Sequence, residues 1–295
     1  MKKAIILISM LYLCGHTFAQ ELYVATEPAS NMAAGSIGVR VNNKLFYMSH
    51  NNKYNYRFDP EVMVGFNKNL MVHANLYASN MFQSKFRVEG GSVYSKYRFL
   101  SHDEVHSHFR MAAFGKVAGI QNPNVLLEDH TYWIDHGNGQ VLEHHETIVH
   151  ENDEIDLDGG NSGFTSGIVA TQLVHKLAVS SSVAWAQRWK NVDAEAYAGQ
   201  SQQAVAYTLS AGYLLLPRVY KNYKQTNLNL YCEFLGASSV DKKGYFIDAA
   251  PAVQFIFNSI SRLDLSWRKQ LTGNMSRLSE SYFLLKFEYN FLNVF

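Results

Sequence analysis

Residues Ser281–Phe295 read SYFLLKFEYNFLNVF. From Phe283 to Phe291 the odd positions hold Phe, Leu, Phe, Tyr and Phe. The even positions from Tyr282 to Asn290 hold Tyr, Leu, Lys, Glu and Asn. Side chains of a strand point alternately to its two faces, so this period of two predicts a strand with one apolar and one mostly polar face. Phe291 and the last residue, Phe295, lie on the apolar parity.

The same pattern recurs upstream. Twelve segments alternate in this way, over about 35–46, 55–67, 69–81, 87–100, 107–120, 163–175, 177–190, 203–216, 226–237, 244–257, 261–271 and 280–292. In YRFDPEVMVGF, Phe58, Pro60, Val62, Val64 and Phe66 share one face, and Arg57, Asp59 and Glu61 the other. In SRLDLSWRKQ, Leu263, Leu265 and Trp267 oppose Arg262, Asp264, Ser266 and Arg268. A soluble antiparallel sheet would bury its apolar face in a core. Here charges of both signs recur on the polar parity, and aromatics gather near strand ends, as a membrane girdle requires. The expected fold is all-β: a transmembrane antiparallel up-and-down barrel of about twelve strands. Connections alternate in length, with tight turns at Asn67–Asn69, His175–Lys176 and Asn258–Ile260 and long ones at Tyr47–Tyr54, Gln121–Ser162, Asn191–Gln202 and Thr272–Ser279.

The start of the chain, MKKAIILISMLYLCGHTFAQ, has Lys2 and Lys3 before an apolar run, then Thr17 and Ala19 as small residues of a cleavage site. That is a secretory signal peptide over 1–19, leaving a single barrel domain over 20–295 with a long external loop at 121–162. The apolar run is too short to span a bilayer as a helix. Aromatics make up 14% of the chain and charges only 17%. Cys232 stands alone in the mature chain, so no internal disulfide forms.

A last strand ending in an aromatic resembles the assembly signal of bacterial outer-membrane barrels, which assigns that role to Phe291 and Phe295. The stretches ELYVATEPASNMAAGSIGVRV, PEVMVGFNKNLMVHANLYASNMF, EGGSVYSKYRF, DLDGGNSGF and YKQTNLNLYCEFLG, with the C-terminus, resemble an uncharacterised porin- or transporter-like family of outer-membrane barrels from the Bacteroidota. The resemblance implies fold, location in the bacterial outer membrane, and contact with outer-membrane lipid and the assembly machinery. It carries over no functional residue.

One segment departs from the rest. Glu128–Asp158 reads EDHTYWIDHGNGQVLEHHETIVHENDEIDLD, with five histidines, ten carboxylates and no Lys or Arg. Around His136–Gly139 it has a hairpin signal. Neither parity of its second arm is free of His or Glu, so it is expected to stand above the membrane rather than add two strands. A loop of two or four residues would put Glu128, His130, Glu143 and His145 on one face, and His144 and His150 on the other. Imidazole and carboxylate together suit Zn²⁺ or Cu²⁺; the plainer expectation is a solvated acidic loop. Glu154, Asp156 and Asp158 before Gly159 resemble the first half of a calcium loop, although its twelfth position is Thr165.

The polar parity carries Arg40, Arg57, Asp59, Glu61, Lys96, Arg98, Arg110, Lys116, Arg188, Glu233, Asp248, Arg262, Asp264, Arg268, Lys286 and Glu288. An interior of this kind fits a narrow or gated channel for a small polar solute or ion. The alternative is a closed barrel acting as a structural or surface-binding protein. Enzymatic function has little support: G-x-S-x-G is absent and His73 falls on the inward parity. No Lys/Arg cluster of the density needed for nucleic acid is present.

Overall fold

The computed structural model describes residues 23–48, 51–82, 85–123, 126–135, 137, 141–150, 152–191, 200–219, 224–241 and 244–295. The signal peptide expected over 1–19 lies outside the described residues. The strands are β1 (Ser36–Met48), β2 (Lys53–Gly65), β3 (Leu70–Ser79), β4 (Arg87–Asp103), β5 (Ser107–Ile120), β6 (Leu126–Asp135) and β7 (Val141–His150). They continue with β8 (Gly163–Val174), β9 (Leu177–Arg188), β10 (Gln203–Leu216), β11 (Asn227–Ser239), β12 (Tyr245–Phe257), β13 (Ser261–Gly273) and β14 (Ser281–Phe291). Twelve of them close into one antiparallel barrel, while β6 and β7 form a separate two-stranded sheet. β5 pairs directly with β8, from Ser107 opposite Val174 to Ala118 opposite Gly163, so the wall never passes through the hairpin. This decides between twelve and fourteen strands in favour of twelve.

Period-2 alternation explains what each face shows. Val39, Leu45, Val62, Leu76, Val93, Val117, Val183, Leu209, Leu230, Leu265 and Phe287 are exposed on the outside. A largely apolar exterior of this kind is stable only against hydrocarbon. Inside, the expected charges are buried: Arg40, Arg57, Asp59, Glu61, Lys96, Arg188, Glu233, Asp248, Arg262, Asp264, Lys286 and Glu288. Arg98, Arg110, Lys116 and Arg268 share that parity and are half-buried.

Closure between the first and last strands sets a charged row. The register puts Arg40 opposite Glu288 on one side and Glu61 on the other. Arg262 lies opposite Glu288 in turn. Because directly opposed side chains sit within reach of one another, Arg40 Nε donates to Glu288 at 2.8 Å, and Arg262 Nη2 donates to the same carboxylate at 2.6 Å. Arg40 Nη1 reaches Glu61 at 3.3 Å, and His73 closes the row on Glu61.

At the tight-turn end, β8 and β9 join through His175–Lys176, with His175 at φ 54°. The Asn67 side chain accepts from the amides of Asn69 and Leu70 between β2 and β3. The 217–226 connection at the same end is longer. Phe291 and Phe295 are both exposed at this end, and Val294 N donates to Gly35 O at 2.7 Å.

An outward cation tests the lipid-facing assignment. Val183 sits mid-strand on β9, exposed. Val183→Arg is expected to destabilise the barrel by about 2–4 kcal/mol in reversible urea unfolding from lipid vesicles, the cost of Arg near a bilayer midplane. Val183→Leu should leave stability within about 0.5 kcal/mol.

Candidate functional site

The interior is not an empty bore. Two segments outside the wall fold into it, one from each end.

The first is the N-terminal stretch before β1. It runs inward from the tight-turn end and crosses to the far wall. The Glu233 carboxylate on β11 accepts from the amides of Val24 and Ala25 at 2.8 Å and of Thr26 at 2.9 Å. It also accepts from the Thr26 hydroxyl at 2.7 Å. Lys96 on β4 donates to Pro28 O at 2.5 Å and to Ser30 O at 2.8 Å. Lys286 on β14 donates to Val24 O. Thr171 on β8 accepts from Ala29 N at 2.9 Å, and Arg110 on β5 donates to Ser30 Oγ at 2.8 Å. Glu27 pairs with Arg40 at 2.7 Å. Partners on so many strands mean that the segment spans the cross-section. Its tip is apolar: Tyr23 and Val24 pack with Leu173, Ala178, Tyr231, Ala252 and Leu284. The rings of Tyr23 and Tyr231 meet edge-on at 5.5 Å.

The second is the return of the long loop into β8, residues 152–162, which straps across the other end. Glu154 takes a two-pronged contact from Arg277, at 2.8 and 3.1 Å. Arg57 Nη1 donates to Asp156 Oδ2 at 3.0 Å and to Asp158 O at 2.8 Å. Asp158 pairs with Lys116 and accepts from Tyr77 OH at 3.2 Å. Arg188 donates to the carbonyls of Asn152 and Glu154, at 3.1 and 2.8 Å. Leu157 seats on Tyr77, Ala118 and Ile120. At Gly159, φ is +110°, and a Cβ would stand 2.9 Å from Arg57 Cζ. Only glycine allows so close an approach in that conformation.

These contacts redraw the expected calcium loop. Glu154, Asp156 and Asp158 are each engaged by a different cation, and they are not arranged as a metal-holding group. The hairpin is redrawn as well. Asp135 pairs with Val141 and His130 with Glu146, so five residues separate the two arms. Odd length reverses the relation between the arms. Glu128, His130, His144 and His150 therefore share one face with Glu146, while Glu143 and His145 lie on the other with Asp129. The quartet Glu128, His130, Glu143 and His145 is split. Among the described residues, no group of three or more His, Cys, Asp or Glu side chains is arranged to hold a metal ion.

Sequence reading missed Glu27 and Arg277, which lie outside the strands, and Lys44 and Glu89, which share the inward parity. Lys44 pairs with Asp59 at 2.9 Å, and Glu89 with Arg57 at 3.2 Å.

No family model matches the chain. No curated protein matches it either. Solved structures do. The COG4313 outer membrane channel from Pseudomonas putida F1 aligns at TM-score 0.53 and 10% identity, over 91% of this chain and 100% of that one. A KdgM porin aligns at TM-score 0.46 and 10% identity, over 86% and 99%. What the first likeness carries is the fold. Together with the apolar exterior and the closed sheet, it makes this chain an outer-membrane β-barrel, porin-like in architecture.

The strap also has a defined response to pH. Desolvation opposes the charged form of Asp158, but its side chain is still 51% exposed, and Lys116, with Lys44 and the Tyr77 hydroxyl, holds the carboxyl below the usual carboxylate range. A depressed carboxyl contributes stability above the unfolded value of about 3.9 and loses it as pH falls through the folded value. Amide exchange of residues 156–162, corrected for intrinsic rates, should therefore stay protected from pH 8 to pH 5 and open only below about pH 4. Opening near pH 6 would contradict the Asp158–Lys116 clamp.

Proposed function

We propose that this barrel is a gated channel for a small polar solute or ion, closed at rest by residues 23–34. One observation carries the reading. Most of what holds the segment is polar, from wall side chains that would line a wet passage if it left. A scaffold meant to stay shut has no need of a second, charged wall behind its filling. The lumen residues named above are assigned to that passage. Glu233→Ala with Lys96→Met removes six of the hydrogen bonds that hold the segment. In planar bilayers this variant, and one lacking residues 23–31, are expected to conduct at least about tenfold more than the parent, since filling by side chains alone suits narrower barrels of about eight strands. Silence from both would favour the alternative, a closed barrel that binds or supports at the surface.

The hairpin carries the finer part of the proposal. His130 and the directly opposed Glu146 are the pair we assign to loose capture of Zn²⁺ or Cu²⁺ above the mouth. Isothermal titration should then show binding that disappears when 126–150 is replaced by a short turn. Identical titrations of the two proteins would remove metal capture and leave the channel untouched.

A further inference from the structure

Both segments that fill the lumen are acidic where they meet it. Glu27 lies on Arg40, and the strap lays Glu154, Asp156 and Asp158 on Arg277, Arg57 and Lys116. Around the strap stand six cations: Lys44, Arg57, Lys116, Arg188, Arg268 and Arg277. Among the described residues, carboxylates outside the strap that pair with this set include Asp59, Glu89 and Asp248, and Asp241 stands near Arg188. The strap supplies Asp153, Glu154, Asp156 and Asp158. Withdrawing it would leave an excess of positive charge in a narrow bore with low-dielectric walls, where fields are focused.

Arg57 adds a second, independent sign. It is 1% exposed, and its Nη2 is buried without a hydrogen-bond partner. It borders a cavity of about 50 Å³ between strap and wall, shared with Lys44, Arg268 and Arg277, with the strap's Glu154, Asp156 and Asp158, and with Glu280. The guanidinium is thus held as a fixed fork by Glu89 and Asp156, with one buried prong unfilled. Arginine forks of this kind suit bidentate carboxylates.

We infer that the long-loop half of the lumen is a binding site for an oligomeric carboxylate, and that the strap is its built-in mimic. This names the substrate class and rests on the channel reading above. An acidic oligomer entering from that end would exchange its carboxylates for those of the strap one cation at a time. Each step replaces one ion pair by another, so no bare charge need be buried along the way.

The test uses the full chain and the variant Glu154→Gln/Asp156→Asn/Asp158→Asn. The probes are tetraglutamate, a linear tetrauronate and tetralysine. By isothermal titration in detergent micelles, the variant should bind one of the acidic probes at least about tenfold more tightly than the parent does, because the competing carboxylates are gone. Adding Arg57→Gln should weaken that binding about tenfold. Preference for tetraglutamate would assign a peptide and preference for tetrauronate a saccharide. No binding of either acidic probe, or equal binding of tetralysine, would overturn the inference. Should the triple variant not fold, Asp156→Asn alone gives the same comparison with a smaller shift. Bilayer recordings of the same variants separate the two readings. Conductance without acid binding removes the site and keeps the channel; acid binding without conductance keeps the site and removes the channel.

Discussion

In hydrocarbon, a backbone amide or carbonyl has no partner except another backbone group, and a sheet can satisfy its edges there only by closing. The pairing of β1 with β14 is that closure. Everything else in the molecule is a consequence of it. Closing twelve strands forces one side chain in two to face inward, around a bore wider than such side chains fill unaided. The remaining space must hold water, a ligand or more chain. Among the described residues, this protein uses its own chain twice.

The inward face also shows why the filling is polar. Arg262, Glu288, Arg40 and Glu61 form a row across neighbouring strands, because the register makes each the neighbour of the next, and His73, opposite Met63, reaches Glu61 diagonally. Ion pairs this deep gain little net stability over apolar packing, since desolvation offsets most of the attraction. Breaking one is still costly, because it leaves a buried charge behind. Such a row is thus weak as glue and strong as a specification. It keeps the wall wettable, and it gives the inserted segments defined places to bind.

How much of this the sequence reveals depends on periodicity. SYFLLKFEYNFLNVF and YRFDPEVMVGF disclose both faces, since a period of two fixes which residues turn inward; Lys286, Glu288 and Glu61 follow from that alone. The hairpin is legible as an element, but its faces hinge on whether the turn is odd or even. Five residues between Asp135 and Val141 send His130 to Glu146 rather than toward His145. The plug is not legible at all. Residues 23–34, YVATEPASNMAA, have no period, and their structure comes from hydrogen bonds to wall side chains on β1, β4, β5, β8, β10, β11 and β14 rather than from any pattern of their own. The only local hint is Glu27 beside Pro28, a carboxylate next to a residue that resists regular structure. Likewise, Glu154, Asp156 and Asp158 display alternate oxygens, yet their partners Arg277, Arg57 and Lys116 are scattered along the chain.

The two closures differ in the chemistry that holds them, and this difference orders them. The plug combines hydrogen bonds to the fully buried Glu233 with an apolar tip, so neither salt nor bulk water reaches most of its contacts. The strap relies on ion pairs whose carboxylates remain partly open, with the Asp156 side chain 30% and that of Asp158 51% exposed. Exposed pairs are screened within about 8–10 Å at physiological salt, and each contributes about 1 kcal/mol or less. Leu157 and the Gly159 approach to Arg57 give the strap its place more than its charges give it strength. A solute arriving at the long-loop end therefore meets the weaker closure first, and meets it through the contacts that a competing anion can exchange. The stronger closure lies behind, anchored by Tyr23 and Val24. Release in series, strap before plug, follows from that order of strengths.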